Sequence, residues 1–132
     1  MSRLSYEALE QALASIQEGL AEYQRYPQLL SIRDGIIQRF EIAMDLSWKL
    51  MQRVLKEIYQ VDFNNLRTKK DLFREAATYQ LVTNVDSWFK HYEARNNTSH
   101  TYDAKIAEQV FANVSEFLSD AQEFIQRLHH AT

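Results

Sequence analysis

The chain has 132 residues, two Gly, one Pro, no Cys and a formal net charge of −3. That length suits one domain over residues 1–132, and the scarcity of Gly and Pro disfavours a turn-rich β protein and favours long helices. Without Cys there is no disulfide framework, thiolate zinc site or cysteine nucleophile, and the acidic balance argues against a dedicated duplex-DNA binder while leaving room for a local RNA site.

In chain order, the first predicted helix runs from about Ser2 to Tyr26. Leu9, Leu13, Ile16, Leu20 and Tyr23 recur at spacings of four and three, and Pro27 ends the run. Its opening, MSRLSYEALEQAL, lacks the apolar run of a signal peptide, and no later stretch approaches the ~18 apolar residues of a membrane span, so the expected address is cytoplasmic with no membrane contact. The second helix runs from about Ser31 to Tyr59, roughly 43 Å at 1.5 Å per residue. Ser31 is its expected N-cap, and Asp34 is placed in the first turn, where the helix dipole favours a negative charge. Ile36, Phe40, Ala43, Ser47, Leu50, Val54 and Ile58 form its stripe, widened by Ile37, Met44, Met51 and Leu55. So broad an apolar surface implies a central helix buried on two sides, a second subunit being one source of cover.

Residues 60–67, QVDFNNLR, read as a connector. Thr68 with Asp71 resembles a capping box, and a short third helix to about Tyr79 buries Leu72, Phe73 and Ala76. After the link QLVTN, Asn84 or Asp86 starts a fourth helix with Val85, Trp88, Phe89 and Tyr92 as its apolar side. Asp103 caps the last, in which Ile106, Val110, Val114, Phe117, Ala121, Phe124 and Leu128 repeat at three and four. Long antiparallel helices with short links predict an all-α, up-and-down bundle of four to five helices.

The link RNNTSHTYD, residues 95–103, carries more chemistry than a connector needs. Arg95, His100 and Tyr102 fall at the mouth of one interhelical turn. An arginine there can grip a phosphate with two parallel hydrogen bonds, and a neutral histidine can take the proton of a ribose 2′-hydroxyl. The arginine's charge would disfavour the imidazolium, and Arg95 would then stabilise the charge that builds as the 2′-oxygen attacks the adjacent phosphate. The ordinary alternative makes Arg95 a helix cap, His100 a turn hydrogen-bonder and Tyr102 a packed ring with its hydroxyl outward.

Two charge patterns accompany this motif. Glu41, Asp45, Lys49, Arg53 and Glu57 recur every four residues with acid before base, an order worth about 0.2–0.5 kcal/mol per pair on a solvated helix face. LRTKKDLFR sets Arg67, Lys69, Lys70 and Arg74 within eight residues, either a grip for a polyanion or a solvated helix start. The remaining histidines are weaker candidates. His91 lies mid-helix with no second ligand four residues on, and His129 and His130 sit near the C-terminus. No metal site, cofactor, Gly-rich phosphate loop or serine-nucleophile elbow is indicated.

RDGIIQRFEIAMDLSWKLMQRVL followed by RNNTSHTYD resembles the bacterial and archaeal family of nucleotidyltransferase substrate-binding proteins, within the wider HEPN superfamily of helical nucleotide- and RNA-associated domains. The similarity spans Ser31 to about Leu128. Arg33, Asp34, Ile37, Gln38, Arg39, Phe40, Glu41, Trp48 and Lys49 match the family's long helix, and Arg95, Asn96, His100 and Tyr102 match its R-N-x-x-x-H-x-Y motif. Gly35 is a local oddity that costs about 1 kcal/mol of helix propensity.

The resemblance implies a homodimer with the arginine–histidine motifs facing across a cleft. It also implies a bound minimal nucleotidyltransferase encoded by an adjacent gene. In toxin–antitoxin members the HEPN protein is a metal-independent endoribonuclease, and its partner neutralises it by adenylylating the motif tyrosine, here Tyr102. On that reading Arg95 holds phosphate, His100 is the general base or acid, and Asn96 bonds phosphate or fixes the turn. Glu41, Asp45 and Lys49 are assigned to the cleft or the partner interface. The competing expectations are a non-catalytic subunit whose motif docks a nucleotide or substrate for the transferase or serves only as its protein substrate, and a purely structural dimeric bundle.

Overall fold

A computed structural model describes residues 6–131. Five α-helices carry the described chain: α1 (Glu7–Arg25), α2 (Leu30–Glu57), α3 (Lys69–Thr78), α4 (Val85–Asn97) and α5 (Ala104–Ala131). Short 3₁₀ turns at Phe63–Leu66 and Thr98–His100 precede α3 and α5. The all-α bundle expected from periodicity is the fold observed. The expected start of the first helix at Ser2 lies outside the described residues. Among the described residues no helix is long and apolar enough to cross a membrane.

Three of the caps follow local chemistry, while α1 starts at Tyr6 and α2 at Leu29 without a side-chain cap bond. The Thr68 hydroxyl accepts from the Asp71 amide at 3.0 Å, and the Asn84 side chain accepts from the Ser87 amide at 3.0 Å. Asp103 accepts from the Lys105 amide at 2.9 Å, so three of the helix starts use the short polar side chain the sequence offers. Against the expected Ser31 cap, α2 begins one residue before Ser31, with Leu29 at the cap position. Asp34 therefore lies beyond the first turn, where it pairs with Arg33 at 3.2 Å. At the end of α3, Gln80 takes a left-handed φ of 62°, and the Leu81 and Gln80 amides return to the Ala76 and Ala77 carbonyls at 2.8 and 3.0 Å. That paired closure satisfies two orphan carbonyls of the helix end.

The stripes read from the sequence do meet in the core. Leu9, Leu13 and Ile16 of α1 are buried, as are Ile36, Phe40, Ala43, Met44, Leu50, Met51, Val54 and Leu55 of α2. From α5 come Val110, Val114, Phe117, Ala121, Phe124 and Leu128. An aromatic spine joins four helices: Phe40 meets Phe117 edge-on at 5.0 Å, and Trp88 lies 5.9 Å from both Phe117 and Phe73. Helices α1, α3, α4 and α5 all pack on α2. Cover from within the chain therefore accounts for the breadth of its apolar surface.

Two charged residues of the long-helix motif serve this architecture. Arg33 is buried and reaches Glu108 of α5 at 3.5 Å. Arg39 donates to the Ser15 carbonyl of α1 at 2.8 Å. Opposite it, a Cβ at Gly19 would fall 2.8 Å from both Arg39 Nη1 and Ile36 Cγ1, so glycine lets α1 and α2 approach. Gly35 meets nothing within 4 Å of such a Cβ, and no packing requirement explains it.

Candidate functional site

Helix α4 delivers Arg95 to α2, and the charged face of α2 receives it. Arg95 Nε donates to Asp45 Oδ1 and Nη2 to Asp45 Oδ2, both at 2.9 Å, a fork-to-fork pair. Nη1 lies 3.6 Å from Glu41 Oε2 and donates to the Thr98 hydroxyl at 3.4 Å. The Thr98 oxygen also contacts Glu41, which ties the 3₁₀ turn to the same carboxylates. Trp48 Nε1 donates to Asp45 Oδ1 at 3.3 Å and so braces the acceptor.

The protonation of this cluster follows from its geometry. Partial burial works to raise the Asp45 carboxyl, but the hydrogen bonds and charge of Arg95, with Trp48 and Lys49, outweigh it and hold Asp45 below the ordinary carboxylate value. The Asp45 hydrogen bond raises Arg95 above the ordinary guanidinium value, against partial burial and with the charges of Asp45 and Glu41 assisting. Two acids thus answer one arginine. In this conformation Arg95 is not an uncommitted phosphate fork, and its charge does not act alone on the motif histidine.

The other half of the motif faces solvent. After the turn, His100 is exposed and Tyr102 is 86% exposed. The Tyr102 hydroxyl lies 3.5 Å from His100 Nδ1, at the outer limit of a hydrogen bond, with ring centroids 6.0 Å apart. Backbone acceptors also hold the turn: Ser99 Oγ donates to the Asn96 carbonyl at 3.2 Å and Thr101 Oγ1 to the Thr98 carbonyl at 3.2 Å. Asn96 is itself exposed.

The structure therefore groups Glu41, Asp45 and Arg95 on one side and His100 with Tyr102 on the other. Lys49 adds its charge to the Asp45 side, its Nζ lying 5.7 Å from the Trp48 ring centroid. Of the regular charge pattern on α2, the pair that spans one turn is Arg53–Glu57, at 3.6 Å. Thr98 was the residue hardest to single out in advance, since it reads as turn filler until its hydroxyl is seen between Arg95 and Glu41.

A second polar cluster lies in the core. His91 is fully buried; its Nε2 is 2.7 Å from Asp120 and its Nδ1 is 2.9 Å from the Asn113 amide nitrogen. The Ser87 hydroxyl lies 2.6 Å from Asp120, 2.8 Å from Glu116 and 3.3 Å from His91 Nε2. Serine and aspartate meet the same ring nitrogen, whereas a nucleophile relay needs them on opposite nitrogens. Burial lowers the His91 imidazole below its ordinary value, against the hydrogen bond and charge of Asp120 and the charge of Glu116. A neutral ring accepting from Asn113 and donating to Asp120 satisfies both ring nitrogens. The signal for this cluster was the pair of four-residue spacings, Ser87–His91 and Glu116–Asp120, which align on facing helices.

Comparison with known proteins bears on the family and the fold. Residues 4–130 match the family described as nucleotidyltransferase substrate binding protein like. A probable ribonuclease HepT of Haemophilus influenzae is 28% identical over 135 residues, which cover 96% of this chain and 92% of that protein. A solved H. influenzae structure, described as revealing the fold of a substrate binding domain of a nucleotidyltransferase, superposes with a TM-score of 0.84 at 28% identity. That match covers 95% of this chain and 99% of the other. A Thermus thermophilus crystal structure shares the fold, with a TM-score of 0.75 at 24% identity over 91% of this chain and 98% of its own. With a family match across nearly its whole length and an all-helical fold to go with it, the chain belongs to the nucleotidyltransferase substrate-binding protein family.

Proposed function

We propose that this protein is the partner and substrate of a minimal nucleotidyltransferase and, when unmodified, a metal-independent endoribonuclease of the HEPN toxin type. The observation that carries the reading is the placement of Tyr102. Its hydroxyl is open to an incoming nucleotidyltransferase and lies beside the imidazole of His100. In the cleavage step His100 takes the proton of a ribose 2′-hydroxyl, the 2′-oxygen attacks the adjacent phosphorus, and the 5′-oxygen of the next nucleotide departs as a hydroxyl with a proton from water, leaving a 2′,3′-cyclic phosphate. Arg95 stabilises the charge on the phosphoryl oxygens once RNA competes with Asp45 and Glu41 for its outer N–H groups. Asn96 is close in sequence and exposed, and it contributes a further phosphate contact.

Modification joins the Tyr102 oxygen to the α-phosphorus of a nucleoside triphosphate with loss of pyrophosphate. It sets an anion and a base beside His100, which blocks RNA from the same space. The working unit in this reading is a cytoplasmic homodimer with its motifs facing across a cleft, and the nucleotidyltransferase is encoded by an adjacent gene. Glu41, Asp45 and Lys49 line that cleft or the partner interface.

RNA cleavage by the purified protein in EDTA, beside Arg95→Ala and His100→Ala, tests the reading. Cleavage by the parent alone is expected. Intact RNA with correctly folded parent protein overturns it in favour of a non-catalytic subunit that binds a nucleotide or substrate for the transferase. That second reading has its own support, because Arg95 is already matched by two carboxylates.

A further inference from the structure

The segment from Arg67 to Arg74 holds four basic residues and one acid, a local charge of +3 on a chain whose net charge is −3. Lys69 and Lys70 occupy the first two positions of α3. Cations there oppose the helix dipole, so helix stability does not account for them. Helix α3 buries Leu72, Phe73 and Ala76, which leaves its cations on the outer side. Arg67, Lys69 and Lys70 make no ion pair among the described residues, and the ion pair of Arg74 is a 3.6 Å contact with the half-exposed Asp71.

These cations rest on aromatic rings supplied by other helices. Lys69 Nζ is 3.7 Å from the ring centroid of Trp48 on α2. Lys70 Nζ is 5.8 Å and the Arg74 guanidinium carbon 5.6 Å from the ring centroid of Phe89 on α4. Both rings are partly open to solvent. The surface continues into the motif, since Trp48 also donates to Asp45, the residue that holds Arg95. Unneutralised cations interleaved with partly exposed rings are the features that bind a single strand: cations follow its phosphates and rings stack its bases.

We propose that the α3 face bearing Lys69, Lys70 and Arg74, with Trp48 and Phe89 beneath them, is the track that binds single-stranded RNA and leads it to Arg95 and His100. This rests on the ribonuclease reading for its destination, and on charge and aromatic placement for its ligand. An acidic protein surface would also satisfy the cations, but the face runs on through Trp48 and Asp45 to Arg95, which ties it to the motif.

The test uses a fluorescein-labelled single-stranded RNA 12-mer with His100→Ala protein, so that binding is read without cleavage. Affinity should fall steeply with salt. The Lys69→Ala/Lys70→Ala/Arg74→Ala variant should bind at least tenfold more weakly at low salt, with a logarithmic salt slope reduced by about 2, since each phosphate contact on a single strand contributes about 0.7. Phe89→Leu should weaken binding several-fold with an unchanged slope, the signature of lost stacking. Circular dichroism melts confirm that each variant is folded.

Parent-like affinity and slope in the triple variant overturn the track. So does a parent that ignores RNA but loses its complex with the nucleotidyltransferase when these cations are removed, because that assigns the face to protein docking. The ribonuclease reading fails separately: RNA bound through these cations but never cut by protein with His100 intact supports the track and sinks the activity. Cleavage at unchanged KM in the triple variant does the reverse.

Discussion

His91 and His100 stand nine residues apart on one stretch of chain and meet opposite surroundings. His91 is sealed in the core with both ring nitrogens in short hydrogen bonds. His100 is exposed, and its ring has one long contact with an almost wholly exposed tyrosine. The buried ring is held neutral and closed off from solvent, while the exposed ring is open to whatever approaches it. Acid–base residues around a histidine are therefore a poor guide to chemistry here. The better-connected histidine is the structural one.

Variants at these positions sharpen that contrast. His91→Ala should have the largest effect on the fold, about 3 kcal/mol, because it opens a cavity and takes a partner from buried Ser87 and partly buried Asp120 and Asn113. Urea unfolding of the variant measures it. His100→Ala in the same experiment should leave the midpoint where it was. Equal losses at the two sites would erase the distinction.

Acid should probe the buried site next. Because the folded-state value of His91 is lowered, its contribution is whole above the unfolded imidazole value of about 6.5. Below that pH the unfolded chain takes up the proton first, and stability falls until the folded ring protonates too. Asp45 acts in the same direction in a lower window. Its folded-state value is also lowered, so its contribution is intact above about 3.9 and is lost as the pH drops through that folded-state value. Unfolding midpoints at pH 7.5, 5.5 and 4 should decline, and His91→Gln should flatten the upper part of the decline.

The Arg95–Asp45 pair lies between the two extremes, about 30% exposed on each side, at 28% and 31%. Asp45→Asn should cost about 1 kcal/mol or less, since water screens the pair. A double-mutant cycle with Arg95→Ala reads the coupling. The smallest effect on the fold is expected from Tyr102→Phe, which should melt as the parent does while losing all label from radioactive ATP in the presence of the nucleotidyltransferase. Label persisting on that variant would move the modification away from Tyr102.

Much of the bundle was legible because burial imposes a period. Phe40, Val54, Phe117 and Phe124 are core residues at the spacing that a helical face demands, and Thr68, Asn84 and Asp103 cap helices because their short side chains reach amides two or three residues on. The start of α2 was less legible. Leu29 has no capping group, and the boundary is set without the side-chain bond that Ser31 could have offered. The apolar side of α4 was also only half visible, since its inner face includes Ser87 and His91, polar residues admitted because α5 brings Glu116, Asp120 and Asn113 to meet them.

Within the motif the same division holds. The sequence alone determined which helices form, where they turn and which residues of RNNTSHTYD have reactive side chains, because each depends on neighbours within about four positions along the chain. Only the tertiary structure decided that Arg95 is locked to Asp45 and Glu41, that His91 is sealed while His100 is exposed, and that the α3 cations lie over Trp48 and Phe89. Those outcomes depend on the rotation and approach of helices distant in sequence, where electrostatics and burial act over a few ångströms, a distance that chain position does not encode.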